Sequence, residues 1–528
     1  MKHRSRLIFW LVAAAAAVLL FLRLGTPYLI DPDEARFART TVEMTRSGDL
    51  VVPSFEGVPR TVKPPLLHWA QAACFRFLHG PAELGARMPA ALATLGTMFL
   101  LAWVTRRRFG DEGAIWASAI FITLPLVAVL GRVGTTDALL SVHIFAALAI
   151  DMAEYGETGQ NRGGVMGALL GLAFLAKGPV GVILPILMIL AGRTAAGRNV
   201  VPRWRAVLTF VAGWSVVALP WSLVFLKRVS TGEVVRTLRT EVFERYFAGV
   251  DHVEPPWYFA AVVLVAFSPW VAPLVVALIR VIGLRRDPVA RTGLYAAAAF
   301  LAALLFFSFG RGKLPQYILP AAPLAALLVT WGLGRELSAP RERRTGSLLL
   351  TGALLVETIL LSAAGGVFPM EAGRQTAMAG AAAYAVGALV AVWGLLRQKP
   401  RLVYGAAAGA TAVFLLAGAI VLHPALGAYR STGSLVDRIP ELASDRPTVL
   451  VDIRLPSLTY YQDRVPERIT SSELASRLER ADSPVIVIAS SDIERVPMPV
   501  LAGLREIGRS GKLHVFVEGE SAGPAGSE

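Results

Sequence analysis

The chain has 528 residues, of which 55% are hydrophobic and 17% charged, with a mean hydropathy of +0.56 and a formal net charge of +14. Soluble domains carry about 25% charged residues, so charge this sparse excludes a soluble globular domain, a disordered chain and a coiled coil. The long unbroken apolar runs exclude a membrane β-barrel, whose strands are short and alternating. A polytopic α-helical membrane protein remains. Its Lys and Arg residues sit in short clusters between apolar runs with little aromatic interleaving, which fits topology-setting loops and argues against a nucleic-acid partner.

The basic stretch Met1 to Arg6 leads into an apolar run, Leu7 to Leu22, that ends in Arg23-Leu24-Gly25-Thr26-Pro27 without a small-x-small cleavage site. It is expected to be an uncleaved first span with a cytoplasmic N-terminus. Further runs of spanning length lie near 86–104, 113–131, 135–153, 164–177, 179–192, 206–226, 256–280, 293–309, 315–334, 346–367, 375–396 and 402–422, roughly thirteen in all. The runs at 164–192 are either two helices or one long helix broken at Lys177-Gly178-Pro179. An odd count places the C-terminus on the outer side. The cytoplasmic loops then hold Arg106-Arg107-Arg108, Arg193/Arg198/Arg203/Arg205, Arg285-Arg286 with Arg291, Arg341/Arg343/Arg344 and Arg397/Lys399/Arg401, as the positive-inside rule requires.

The membrane domain is expected over residues 1–424, with a first outer loop at 27–85 and a second large one at 228–255. In the first loop Asp33–Arg46 and Pro64–Leu78 are amphipathic and suit helices lying on the membrane surface. Residues 425–528 alternate strand-like runs (Thr448–Ile453, Val485–Ala489, Leu513–Val517) with helix-like ones (Ser471–Ala481, Pro499–Ile507), and so predict a small outer α/β domain. The single cysteine, Cys74, excludes an internal disulfide and cysteine-based zinc sites. No internal repeat is evident.

Four outer-face motifs carry candidate chemistry. Asp31-Pro32-Asp33-Glu34-Ala35-Arg36 sets three carboxylates just beyond a span. They suit a helix start with an acidic first turn, or a carboxylate that orients or deprotonates an acceptor while Arg36 faces a phosphate. Thr135-Thr136-Asp137 opens a span on the same side, where an Asp is either an N-cap or a functional group. Lys63 precedes the Pro-initiated helix at Pro64-Pro65. Gly310-Arg311-Gly312-Lys313-Leu314-Pro315-Gln316-Tyr317 puts two cations and a phenol in a turn. Outer cations run against the charge bias, and an anionic ligand would account for them.

At these residues the chain resembles the GT-C superfamily of membrane glycosyltransferases, in particular the bacterial transferases that put aminoarabinose on lipid A and the dolichyl-phosphate-mannose protein mannosyltransferase-like group. The likeness covers roughly residues 1–330. It rests on Asp33-Glu34-Ala35-Arg36, Ser47-Gly48-Asp49, Lys63-Pro64-Pro65-Leu66, Ala86-Arg87-Met88-Pro89-Ala90, Thr136-Asp137, Leu175-Ala176-Lys177-Gly178-Pro179, Pro256-Trp257-Tyr258 and Gly312-Lys313-Leu314-Pro315-Gln316-Tyr317, in order and at fitting spacing. The resemblance implies inverting transfer of a sugar from a polyprenyl-phosphate donor to a lipid, glycan or protein acceptor at the outer face of the bacterial inner membrane. Asp33, with Glu34 beside it, and Asp137 would be the catalytic carboxylates. Lys63, Arg36, Arg245, Lys313 and Tyr317 would meet the donor phosphate.

In the aminoarabinose transferases a glutamate commonly precedes that lysine and a histidine lies shortly before the arginine; here these positions are Val62 and Val242. That departure speaks against a metal and against aminoarabinose as the sugar, so no metal or other cofactor is expected. Phe37 stands where a tyrosine is common. A transporter or flippase of the same topology is the competing reading. Such proteins tend to show inverted repeats and charges near the midplane, whereas here the ionisable residues gather at one face.

Overall fold

The computed structural model describes residues 3–80, 82–153, 162–240, 244, 246, 252–284, 290–338, 344–480 and 482–519. Val242, Arg245, Arg285, Arg286, Arg341, Arg343 and Ala481, all used in the sequence expectations, lie outside these residues.

Every apolar run expected to span is helical. The elements are α1 (His3–Phe21), α2 (Asp33–Ser47), β1 (Ser54–Phe55), β2 (Val58–Pro59), α3 (Leu66–Phe77), α4 (Ala82–Ile122), α5 (Pro125–Leu130), α6 (Asp137–Ala153), α7 (Arg162–Lys177), α8 (Val180–Ala195), α9 (Trp204–Arg228) and α10 (Thr231–Leu238). They continue with α11 (Tyr258–Ala266), α12 (Val271–Gly283), α13 (Arg291–Phe309), a 3₁₀ turn at Pro315–Ala321, α14 (Ala322–Ser338), α15 (Thr345–Val367), α16 (Glu371–Leu396) and α17 (Pro400–Ala417). Among the described residues eight helical stretches are long and apolar enough to cross a membrane, and nine if the bent pair α11–α12 counts as one. The other expected runs are α6, α7 and α8, each shorter than 18 residues, and the part of α4 beyond Gly110 with α5. At Gly110 the backbone leaves helical geometry (φ 74°, ψ −168°), so the 41-residue α4 is two helices.

The two helices in 162–195 are likewise distinct. Gly178 takes a positive φ of 69°, a conformation open to glycine. The chain then folds back so closely that a Cβ on Gly181 would stand 2.3 Å from the Ala173 carbonyl oxygen. The α7–α9 contact is set by small residues: Gly163, Gly167 and Gly171 recur every fourth position, and a Cβ at Gly167 would lie 2.0 Å from the Phe210 carbonyl oxygen. Close backbone approach of this kind is how helices associate where lipid removes the hydrophobic drive between them.

Loops expected on the same membrane face meet one another. Arg401 pairs with Glu112, and Arg198 and Arg193 pair with Asp151, at one end of the bundle. At the other end, Glu34 of the first long loop accepts from the Gly134 N–H. Two buried arginines close this end. Arg132 donates to the carbonyls of Leu19, Leu20 and Leu22, satisfying the last carbonyls of α1, and Arg87 donates to those of Leu24, Pro27 and Tyr28.

Residues beyond 430 form a five-stranded sheet of β3 (Thr448–Val451), β4 (Glu467–Ile469), β5 (Val485–Ala489), β6 (Leu504–Ser510) and β7 (Leu513–Glu518), in the order β4-β3-β5-β7-β6. β3 runs parallel to β4 and β5, and β7 antiparallel to β5 and β6. β3 and β5 are buried on both faces, as continuous apolar runs in a parallel pair should be. The expected helix at Pro499–Ile507 is corrected. Only Met498–Ala502 is helical, and Leu504–Ser510 is an edge strand whose pairing with β7 overrides its weak helical pattern.

The domain is bolted to the long loop that follows α1. Asp463 accepts from both Arg39 and Arg46 of α2 at 2.5 Å, Glu56 accepts from Thr459 (2.8 Å), and Tyr461 accepts from the Leu29 N–H (2.8 Å) and donates to Glu83 (3.0 Å). Asp31 accepts from the Ser457 N–H at 2.8 Å and also from its hydroxyl. Burial pushes the Asp31 carboxyl up, only partly offset by those bonds, to about 6.

Candidate functional site

Lys63 sits between two fixed elements. On its N-terminal side the β1–β2 hairpin is held by Glu43 of α2, which accepts from the Glu56 (2.9 Å) and Gly57 (3.2 Å) N–H groups and from Arg39 (2.8 Å). The Arg60 guanidinium lies 5.3 Å from the Phe37 ring centre, and the Thr61 hydroxyl bonds that of Thr237 at 2.6 Å. On its C-terminal side α3 is fastened to α2 and α4: Thr41 bonds the buried His68 (2.8 Å) and Gln71 (2.7 Å), and Gln71 donates to the Ala86 carbonyl (2.9 Å). Burial and the nearby Arg60 charge lower the His68 pKa to about 3, so this histidine is neutral.

Lys63 opens into a cavity of about 140 Å³ with Lys177, Tyr246, Tyr317, Phe306 and Phe307 on its walls. Lys177 ends α7, just before the Gly178 reversal. Its ammonium pairs with Asp137, the first residue of α6, and lies 4.8 Å from the centre of the Tyr317 ring. Asp137 also accepts from the Thr135 hydroxyl at 3.1 Å. Tyr246 donates to the Phe306 carbonyl at 2.6 Å. Lys63 and Lys177 thus line one small space, where Asp137 pairs with Lys177. Beside it an apolar groove of about 300 Å³ is lined by Phe174, Phe210, Val211 and Trp214, and it shares Pro179 and Ile183 with the cavity.

The other sequence candidates are placed differently. Glu34 is fully buried. Its two oxygens accept from Arg87 Nε (2.7 Å) and Nη2 (2.8 Å) and from the N–H groups of Gly134 (2.9 Å) and Ile30 (3.0 Å). Burial would raise this carboxyl, but the Arg87 charge and these bonds hold it below the usual carboxylate range. Glu34, expected among the catalytic carboxylates, is thus held as an anchor of the fold, with both oxygens occupied. Asp33 and Arg36 share the first turn of α2, 3.5 Å apart; Asp33 is half-exposed, and neither lines the cavity. Lys313 is buried, with its ammonium on the Glu254 carbonyl (2.7 Å) and its N–H on the His252 carbonyl (2.9 Å). It closes the 310–313 turn onto residues 252–254 and is not among the residues lining the cavity. Tyr317 is at the cavity. Arg245 lies outside the described residues. Among the described residues no group of three His, Cys, Asp or Glu side chains is placed to hold a metal ion.

Lys177, within the Leu175–Pro179 motif, is not among the site residues expected from the sequence. A lysine ending an apolar run on the outer side, against the charge bias, was the available signal.

The family model of dolichyl-phosphate-mannose-protein mannosyltransferases matches residues 62–221, the stretch that contains Lys63, Asp137 and Lys177. The chain is 30% identical over 369 residues to the undecaprenyl phosphate-alpha-4-amino-4-deoxy-L-arabinose arabinosyl transferase of Enterobacter sp. (strain 638), covering 65% of this chain and 63% of that one. To the enzyme of the same name from Shewanella sediminis it is 28% identical over 455 residues, covering 82% and 80%. The match spans about three fifths of the Enterobacter relative and four fifths of the Shewanella one. Among solved structures, ArnT from Cupriavidus metallidurans bound to undecaprenyl phosphate superposes with a TM-score of 0.77 at 21% identity, covering 98% of this chain and 99% of that one. The oligosaccharyltransferase of Archaeoglobus fulgidus superposes at 0.55 and 12% identity, over 93% and 70%. The chain has the multi-pass fold of the GT-C membrane glycosyltransferases, and along most of its length its sequence is similar to the bacterial aminoarabinose transferases of that fold.

Proposed function

We propose that the chain transfers a glycosyl group from a polyprenyl-phosphate-linked donor to a lipid, glycan or protein acceptor at the outer face of the bacterial inner membrane, with the N-terminus cytoplasmic and the C-terminal domain outside. The observation that carries this reading is the convergence of Lys63, Lys177 and Tyr317 on one cavity that continues into an apolar groove. The cavity suits a phosphate and the groove suits an isoprenoid chain. The Cupriavidus ArnT structure, with its bound undecaprenyl phosphate, supports the same donor class.

The chemistry follows from charge. As the bond between the sugar C1 and the phosphate oxygen breaks, its electron pair goes to the phosphate. Lys63 and Lys177 stabilise that growing charge more in the transition state than in the ground state, which is what catalysis requires. Asp137 fixes the Lys177 ammonium. The acceptor oxygen attacks C1 from the opposite side, giving inversion, and a hydroxyl acceptor passes its proton to a carboxylate. Asp33, at the solvent edge of α2, is the group we assign to that step; a phosphate acceptor would need no such base.

The test is single-turnover transfer from a purified polyprenyl-phosphate sugar to envelope lipid, glycan and protein fractions. Wild type is expected to form a new glycosidic bond. Asp33→Asn is expected to lose roughly 10²-fold in rate to a hydroxyl acceptor while keeping donor affinity, and activity is expected to survive a chelator. Movement of the donor lipid across the bilayer without any new bond would overturn the reading in favour of a transporter.

A further inference from the structure

At the end of the bundle away from Lys63 a larger cavity, of about 580 Å³, lies where α14 ends, α15 begins and α16 turns into α17. Its walls include Glu336, Arg344, Trp393, Gln398, Lys399 and Arg401. The 17-residue α14 separates it from the Tyr317 turn; at 1.5 Å per residue that is about 25 Å. The two cavities therefore open at opposite membrane faces.

The charges here do not cancel. The Glu336 carboxylate is buried and occupied, accepting from the Gly346 N–H (2.7 Å) and Ser347 hydroxyl (2.6 Å), with Arg280 at 3.4 Å. Arg401 is taken by Glu112 (2.9 Å). Among the described residues no carboxylate pairs with Arg344 or Lys399. Charge bias alone accounts for basic residues on this face, but topology requires only that they be in the loop. It does not require a concave site, nor an indole in its wall. Trp393 is half-exposed with Arg397 5.9 Å from its ring centre, and Leu396, one turn on, is largely exposed. Trp at headgroup depth beside outward-facing leucine is the pattern of the bilayer interface.

We propose that this cavity binds the phosphate headgroup of an anionic membrane phospholipid, with Arg344 and Lys399 on the phosphate and Trp393 against the glycerol region. Basic pockets between transmembrane helices on this face bind anionic lipid head groups. The site is separate from the donor cavity and does not depend on the glycosyltransferase reading.

The full chain is to be reconstituted in phosphatidylcholine nanodiscs containing 20 mol% phosphatidylglycerol, and the lipids it retains on transfer to mild detergent counted by native mass spectrometry. Wild type is expected to retain phosphatidylglycerol over phosphatidylcholine, and Arg344→Gln/Lys399→Gln to retain about tenfold less, the fold change expected for roughly 1.4 kcal/mol. Arg205→Ala, a cation against Trp204 in another loop expected on this face, is expected to retain as much as wild type. Melting in pure phosphatidylcholine reads whether the double variant is folded; should it fail, Lys399→Gln alone serves and is expected to show a partial loss. Unchanged retention in a folded variant, an equal loss in Arg205→Ala, or equal retention of phosphatidylcholine would overturn the proposal. Displacement of the lipid by millimolar inorganic phosphate would show that the site takes the free ion instead.

Discussion

Glu34–Arg87 and Asp137–Lys177 are both carboxylate–cation pairs, and both carboxylates lie in the first turn of a helix. They differ in what is left over. Each Glu34 oxygen accepts from Arg87 and from a backbone N–H, and the spare Arg87 donors reach three carbonyls. That pair has no capacity for a ligand. The Lys177 ammonium has three donors, pairs with Asp137 and stands in the wall of a cavity. Saturation of hydrogen-bonding capacity, not nearness to the membrane edge, separates the pair that holds the fold from the pair that is open to an anion.

The comparison breaks most visibly at Glu34. Glu34→Gln leaves Arg87 buried without its counter-charge, and is expected to cost about 3–5 kcal/mol of stability. Thermal unfolding measures this, and transfer per folded molecule should fall less than in Lys177→Ala. Lys177→Ala is expected to show the reverse: a melting temperature close to wild type and a rate reduced roughly 10²–10³-fold, the usual consequence of removing one preorganised charge-stabilising group. Lys177→Arg should restore part of it, since a planar fork does not place charge where an ammonium does.

Asp31 sharpens the contrast, because its buried carboxylate is bonded to Ser457 and the Arg36 and Arg430 charges only partly offset its burial. Its pKa is about 6 in the fold against 3.8 for the free side chain. The folded state therefore binds the proton more tightly, and the stabilisation is present below the unfolded value and lost as pH rises through the folded one. Relative to Asp31→Asn, wild type should lose up to about 3 kcal/mol between pH 4 and pH 6. Melting curves at intervals across pH 4–7 read this directly, and parallel curves for the two proteins would contradict it. The smallest effect is expected at Lys313. With its ammonium already on the Glu254 carbonyl, Lys313→Met should cost about 1.5 kcal/mol of stability and change donor affinity less than either cavity lysine does.

The helices were legible because apolar run length alone fixes a spanning segment, and the amphipathic α2 and α3 because their period shows in fifteen residues or fewer. The edge strand Leu504–Ser510 was not, since only its pairing with β7 makes it a strand. Asp137 could be picked out because it opens an apolar run, Lys63 because it precedes the Pro-initiated helix, and Tyr317 because it shares a turn with two cations. Nothing in the local sequence separates Glu34 from Asp33: the partner that takes Glu34 is Arg87, fifty-three positions away. The carbonyl that receives Lys313 likewise belongs to another loop and is invisible in the local sequence.

The most direct test is the affinity of the full chain for undecaprenyl phosphate, measured in wild type, Lys63→Ala, Lys177→Ala and Glu34→Gln and corrected for the folded fraction. The open-pair account predicts at least tenfold weaker binding in each lysine variant and near-wild-type affinity in folded Glu34→Gln. Equal affinity in the lysine variants, or as large a loss in Glu34→Gln, would contradict it.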